Sequence, residues 1–232
     1  RRFGIGADGL IAVEPSRGKG GTVRMRYYNA DGGEAEMCGN GARCFGNFAA
    51  ALLHHDKSAP LPFETMAGIV TATFEKDGNV TVNLTDPHSL QLFVLNADPT
   101  VGADVHFLNT GVPHAVAFLD KLDGLDVPRL GAYLRYHSAF SPKGTNANFA
   151  RILSPGHIAI RTYERGVEDE TLACGTGMTA SALLHAVLTD APSPIQVDVA
   201  GGDTLKVGFQ RTGDRFTSVT LTGPADLVFT GD

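Results

Sequence analysis

Tryptophan is absent from this chain, and cysteine occurs only three times in 232 residues. The first absence removes the commonest aromatic stacking platform. The second excludes a disulfide scaffold, because an odd trio in a chain this long builds no framework. No apolar run approaches the ~20 residues that a membrane span requires. No export signal is read at the start, so a reducing, cytoplasmic setting is the expectation. No basic run exists to neutralise phosphates, and the formal net charge is −6. Nucleic acid and membrane are therefore not expected partners, and a small molecule is.

Glycine is plentiful instead, at 28 residues, well above the usual ~7%. Four of these glycines fall in a motif that occurs twice. Cys38-Gly39-Asn40-Gly41 and Cys174-Gly175-Thr176-Gly177 both read Cys-Gly-x-Gly. Each precedes a stretch rich in small and apolar residues, Ala42 to Leu53 in one and Met178 to Leu188 in the other. That pattern predicts two helices, each opening on a cysteine and a glycine-rich turn. A helix N-terminus offers unpaired N–H groups and the positive end of the macrodipole, so a thiol there is biased toward thiolate. The bland alternative is a pair of buried small hydrophobes, the usual fate of an unoxidised cysteine. Position at a glycine-rich helix start serves packing poorly and anion binding well, which favours the functional reading.

The repeat extends upstream of the cysteines. At the same offset Tyr27 aligns with Tyr163, Asn29 with Arg165 and Glu34 with Glu170. Each unit then reads as strand, acidic and glycine-rich turn, Cys-Gly-x-Gly, apolar helix. Self-similarity at so long a period means two related domains rather than a solenoid. The expected class is α+β: two similar domains, each a curled, mostly antiparallel sheet around a central helix, with the active site in the interdomain cleft. Asp86-Pro87 marks the domain exit, giving domains over 1–88 and 89–222. A last strand over Ala225–Phe229, within 223–232, is expected to return to the first domain.

Other reactive side chains carry weaker signals. Cys44 lies six residues into the first helix and reads as structural. A zinc site from Cys38, Cys44 and His54 or His55 lacks the ligand spacing such sites use, so no metal is expected. His54 and His55 read as helix-end cations. Glu164-Arg165 aligns with Tyr28-Asn29 of the other unit. A guanidinium that grips a carboxylate bidentately, next to a carboxylate that holds an ammonium, would recognise an amino acid head group. Asn29 and Asn146 add neutral donors and acceptors to that reading.

The run Asn29 to Cys44, with Glu36-Met37-Cys38-Gly39-Asn40-Gly41 at its centre, resembles the first signature of the diaminopimelate epimerase family. Tyr163-Glu164-Arg165-Gly166, followed by Ala173-Cys174-Gly175-Thr176-Gly177, is similar to the second. Gly4 to Gly9, Gly111-Val112-Pro113-His114 and Thr145-Asn146-Ala147-Asn148-Phe149 fall in the same order. The resemblance implies a cofactor-independent epimerase that interconverts LL- and meso-diaminopimelate, on the route to lysine and peptidoglycan. It implies that Cys38 and Cys174 are the acid/base pair. It implies that Asn29, Asn146, Glu164 and Arg165 grip the substrate, and that backbone N–H groups of Gly39-Asn40 and Gly175-Thr176 hold the reacting carboxylate. His114 and Glu164 would tune the cysteines, and a homodimer is implied as well.

Three departures stand out. The chain opens at Arg1-Arg2-Phe3-Gly4, without the earlier Gly-x-x-Asn-Asp-Phe run of the family. Val112 stands where many members carry Asn, with Asn109 and Thr110 as neighbouring substitutes. Phe229-Thr230-Gly231 stands where a dimer-contact Tyr is common. The competing readings are a racemase of another amino acid, separated by a substrate panel, and an inactive binding homologue, separated by binding without α-proton exchange. A thiol-redox protein is the most distant reading, separated by cycling with a reductant.

Overall fold

The computed structural model describes residues 6–7, 9–18, 20–29, 32–35 and 38–231. Gly4, Ile5 and Asp8 of the expected glycine-rich turn lie outside the described residues, as do Asp31 and Glu36-Met37 before Cys38. The chain divides into two units, Arg1–Asn83 with Thr222–Asp232, and Leu84–Leu221.

In the first unit, β1 (Gly9–Pro15) and β2 (Val23–Asn29) pair antiparallel from Gly9 opposite Asn29 to Pro15 opposite Val23. A two-residue β3 (Glu34–Ala35) folds back on β2. The chain then enters α1 (Gly39–Leu52) and returns as β4 (Leu61–Thr65), parallel to β2. The antiparallel strands β5 (Gly68–Phe74) and β6 (Val80–Asn83) follow. Helix α1 touches β1, β2, β4, β5 and β6, so the sheet curls around it. Its buried Ala42, Phe45, Gly46, Ala49 and Ala50 follow the i, i+3/i+4, i+7 spacing of a single helical face. Gly46 allows the close approach, because a Cβ there would lie 2.6 Å from the Ala72 side chain. Beside it the Phe45 and Phe63 rings meet at 4.6 Å, and each fully buried ring contributes about 2–3 kcal/mol of transfer free energy.

The second unit repeats this plan. It begins with β7 (His88–Asp98), β8 (Ala103–Asn109) and β9 (Pro113–Phe118), then α2 (Val127–Tyr136) and a 3₁₀ turn at Ser138–Phe140. Next come β10 (Asn146–Ser154), β11 (His157–Glu164), the short β12 (Asp169–Thr171) and α3 (Gly175–Thr189). β13 (Ile195–Val199), β14 (Thr204–Thr212) and β15 (Arg215–Gly223) complete the series. The order β10-β11-β13-β14-β15 reproduces β1-β2-β4-β5-β6. In both units a Cys-Gly-x-Gly helix makes the crossover between parallel strands, β2 to β4 and β11 to β13. The expected α+β class and the duplicated curled sheet are thus present. β7, the outer strand of the β7-β8-β9 end, carries left-handed residues at Ser89, Phe93 and Ala97 together with register shifts against β8. Such bulges coil a strand and blunt its capacity to pair with another chain.

Period-two alternation gives the second unit two chemically different sheet faces. Ala115, Ala117, Ala147, Phe149 and Tyr163 pack with Val127, Leu130 and Leu134 of α2 in an apolar core. The intervening residues, including His114, Asn146, Asn148 and Thr162, are buried on the other face, where α3 lies. Helix α3 is apolar nearly all round and buried from Gly175 through Ala186, apart from half-buried Thr176, as expected of an enclosed core helix.

The strand expected over Ala225–Phe229 is not formed, and residues 224–231 have no regular structure. The carbonyls of Pro224 and Ala225 accept instead from the side chains of Arg43 and Asn47. Conversely, β4 escapes sequence reading because Pro60 and Pro62 punctuate it. Pro62 is tolerated there because its carbonyl still accepts from Thr22 N–H at 2.8 Å. No helix among the described residues is long and apolar enough to cross a membrane.

Candidate active site

Cys38 and Cys174 occupy the same local position, each the N-cap of its unit's crossover helix with extended backbone angles, φ −138°, ψ 114° and φ −119°, ψ 110°. The Cys38 thiol accepts from Gly41 N–H at 3.4 Å. The Cys174 Sγ lies 3.5 Å from the Thr176 hydroxyl and is buried. Neither helix carries an acidic residue in its first turn, so no side-chain carboxylate on the helix neutralises the positive end of either dipole. The second glycine is tightly surrounded in both motifs and sterically required in the second. A Cβ at Gly41 or at Gly177 would lie 3.4 Å from the Cβ of its own cysteine. At Gly177 it would also lie 2.3 Å from Asn148 Oδ1, a clash.

The hairpin that delivers each cysteine is pinned in the same way. Arg26 donates to both carboxylate oxygens of Glu34 at 2.8 Å, and Arg161 to both of Glu170 at 2.7 Å. Hydrogen bonding to Arg26 holds the Glu34 carboxyl below the usual carboxylate range. The Glu34 and Glu170 match in the sequence repeat therefore has a physical content: both close a fork on the strand before a cysteine turn.

Around Cys174, β9, β10 and β11 supply polar groups at alternate positions of one face. Asn146, expected to contact substrate, donates from Nδ2 to Pro113 O at 3.0 Å and accepts from Arg165 N–H at 2.8 Å. It thereby fixes the backbone from which Arg165 projects, and the Arg165 guanidinium rests on Lys143 O at 3.3 Å. Glu164 ends β11, and the following turn is closed by Glu168, which accepts from Gly166 N–H and from Arg135. Thr110, buried, donates to Thr176 O at 3.0 Å in the first turn of α3. Asn109 accepts from Gly111 N–H at 3.0 Å. The two neighbours of Val112 thus both have local partners, and Thr110 is the one that reaches the cysteine turn.

His114 is fully buried. Burial first, and then the positive charge of Arg165, push its pKa down to about 3. The ring is neutral throughout the physiological range. Its Nδ1 lies 3.1 Å from Asn148 Nδ2, which also donates to Ala115 O at 3.0 Å, while Asn148 Oδ1 accepts from Thr162 at 3.0 Å. Sequence reasoning gave no role to Asn148 or Thr162, although it offered Thr110 as a substitute for the Asn expected at Val112. The available signal was Thr145-Asn146-Ala147-Asn148, two amides at period two ahead of the apolar Phe149-Ala150.

In the first unit, Asn29 ends β2, and its backbone closes the following turn through its N–H to Gly33 O and its carbonyl to Gly32 N–H. The Asn40 side chain accepts from Arg43 at 3.0 Å. Arg43 is itself buried within the helix and anchors the 222–232 segment through Pro224 O. Structure therefore groups His114, Asn146, Glu164, Arg165, Cys174, Gly175 and Thr176 in the second unit. Asn29, Cys38, Gly39 and Asn40 belong to the first.

The sequence pattern described as Diaminopimelate epimerase matches residues 1–90 and 106–228. The diaminopimelate epimerase of Hydrogenobaculum sp. (strain Y04AAS1) is 41% identical, over 98% of this chain and 80% of that protein. That of Chlorobaculum tepidum is 43% identical, over 100% of this chain and 87% of its own length. Among solved structures, a probable proline racemase from Agrobacterium radiobacter K84 superposes with a TM-score of 0.66 at 20% identity, covering 93% of this chain and 73% of that one. At that identity the likeness is one of fold.

Proposed function

The chain belongs to the diaminopimelate epimerase family, and from that premise we propose that it interconverts LL- and meso-diaminopimelate without a cofactor. The observation that carries this reading is the duplicated cysteine cap: one thiol per unit at the positive end of a helix with no acid in its first turn. An amino acid α-proton is very weakly acidic. Removing it requires that the negative charge developing on the carboxylate be met by donors already in place. The first-turn N–H groups of Gly39-Asn40 and Gly175-Thr176 are such donors. One cysteine as thiolate takes the α-proton, the other as thiol delivers a new one, and the reverse reaction exchanges their roles. Arg165 and Glu164 suit the carboxylate and ammonium of the substrate's non-reacting end, with Asn29 and Asn146 as the neutral partners. Both cysteines must stay unoxidised, which fits a reducing cytoplasm. The product would feed lysine and peptidoglycan precursor synthesis.

The test is α-proton exchange followed by NMR in D₂O with LL-diaminopimelate and reduced protein. Deuterium should enter Cα as the meso isomer forms. Exchange with another amino acid but not with either diaminopimelate isomer would replace this reading with a racemase of different specificity.

A homodimer is part of the same proposal. Exposed Phe48 and Leu52 lie on α1, and the 222–232 segment bound to α1 through Arg43 and Asn47 exposes Leu227, Val228 and Phe229. An apolar patch of this kind suits an interface between copies. Val228→Asp should shift the protein from dimer to monomer in light scattering; an unchanged mass would place the contact elsewhere.

A further inference from the structure

The buried amide of Asn148 can be oriented without ambiguity. A backbone carbonyl only accepts, so the Asn148 atom 3.0 Å from Ala115 O is the nitrogen. Its oxygen, on the opposite side, receives the Thr162 hydroxyl at 3.0 Å. The same nitrogen lies 3.1 Å from His114 Nδ1. Two N–H groups cannot point at each other at that distance, so Nδ1 must carry the lone pair and the ring proton sits on Nε2. Nε2 is buried and has no hydrogen-bond partner among the described residues. A buried donor of that kind is costly unless an acceptor arrives during function.

We infer that Asn148 is a positioning residue that locks His114 as its Nε2–H tautomer, so that His114 serves the reaction as a hydrogen-bond donor and not as a base. The role in the reaction rests on the epimerase reading above; the tautomer itself does not. The physical consequence concerns sign. An Nε2–H group stabilises an anion that forms beside it, whether thiolate or carboxylate. The other tautomer would turn a lone pair toward the same anion and repel it. Neutrality of the ring matters too, because it keeps the donor from becoming a permanent counter-ion for one cysteine, which would bias the exchange of roles.

The lock also accounts for the second glycine of the motif. The Asn148 amide oxygen occupies the space that a side chain at position 177 would need, 2.3 Å from its Cβ. The Thr162–Asn148–His114 chain therefore runs directly beneath the turn that carries Cys174. Any residue larger than glycine at 177 must displace the amide that sets the tautomer.

The decisive measurement is the tautomer of His114 by ¹⁵N–¹H NMR on the labelled full chain, its signals assigned by their loss in H114Q. In the unmodified protein Nδ1 should show the shift of a lone-pair nitrogen and Nε2 that of a protonated one. In Asn148→Asp a carboxylate faces Nδ1, so the proton should move to Nδ1 or the ring become cationic. A fall in kcat of roughly 10–100-fold should accompany this, with KM little changed. Gly177→Ala should disturb the same signals by pushing the amide aside. A proton found on Nδ1 in the unmodified protein overturns the inference even if neither variant folds. So does an N148D protein whose His114 stays neutral with its proton on Nε2. A chain with the expected tautomer but no exchange on either diaminopimelate isomer upholds the lock and overturns the epimerase reading instead.

Discussion

Replacing Cys174 by alanine is expected to lower kcat/KM for the LL-to-meso conversion by roughly 10⁴-fold, and replacing Cys38 to do the same. The double variant should be no slower than the worse single one. Groups that act as one unit are not additive, because once either proton transfer is blocked the other has nothing to complete. Serine variants separate chemistry from folding. Both cysteines are N-caps, and serine is among the better N-cap residues. Cys38→Ser and Cys174→Ser should therefore melt at or above the temperature of the unmodified protein. The gain should be larger at Cys174, whose side chain makes no cap hydrogen bond to a backbone N–H. Activity should nevertheless collapse, because a hydroxyl is far less acidic than a thiol and neither gives nor takes the proton at neutral pH. Paired melting curves and the rate of LL-to-meso conversion would check this. A single cysteine variant that kept a tenth of that conversion rate would eliminate the two-thiol mechanism.

Much of this was legible because it depends on local backbone requirements. Cys-Gly-x-Gly before an apolar stretch can only be a helix start with close approaches, and both helices begin at the expected residue. Asp77-Gly78 between two β-branched runs, at the β5–β6 turn, and Pro128 in the first turn of α2 are equally local signals. What could not be read was pairing between distant segments. Nothing in Leu61–Thr65 announces a strand parallel to β2, since its prolines mimic a loop and its partner lies about forty residues away. The 222–232 segment failed in the opposite direction. Leu227, Val228 and Phe229 look like a strand, yet the neighbouring carbonyls are taken by side chains of α1 and the apolar residues are exposed. At the site, the charged and reactive residues were visible by type. Asn148 was not, because its importance comes from three partners on two neighbouring strands and a helix glycine, all remote in sequence.

Acid should destabilise the protein well before its carboxylates protonate. Burial holds His106, His114 and His185 below the ordinary histidine value, and for His114 the folded pKa is about 3. The surroundings explain the resistance to charging. His106 Nδ1 accepts from Phe93 N–H, His114 Nδ1 from Asn148, and both ring nitrogens of His185 are buried without a hydrogen-bond partner among the described residues. Below pH ~6.5 the unfolded chain takes up protons at these positions and the folded chain does not, so stability falls as pH falls. The stability is fully present above pH ~6.5. For His114 the loss continues down to pH about 3 and totals about 5 kcal/mol at ~1.4 kcal/mol per pH unit, much of a typical domain's stability. Asp98, Glu168 and Asp198, all held below their usual values by hydrogen bonds, add a loss of the same sign. Theirs begins only below pH ~4.5, so the interval from 6.5 to 4.5 isolates the histidines. Urea unfolding at pH 7.5, 6.5, 5.5 and 5.0 should give a stability that is flat at first and then declines. His114→Gln should reduce that slope by about 1.4 kcal/mol per pH unit. Equal stability at pH 7.5 and 5.0 would mean that these rings gain protons in the folded state as readily as in the unfolded one, and would contradict their burial.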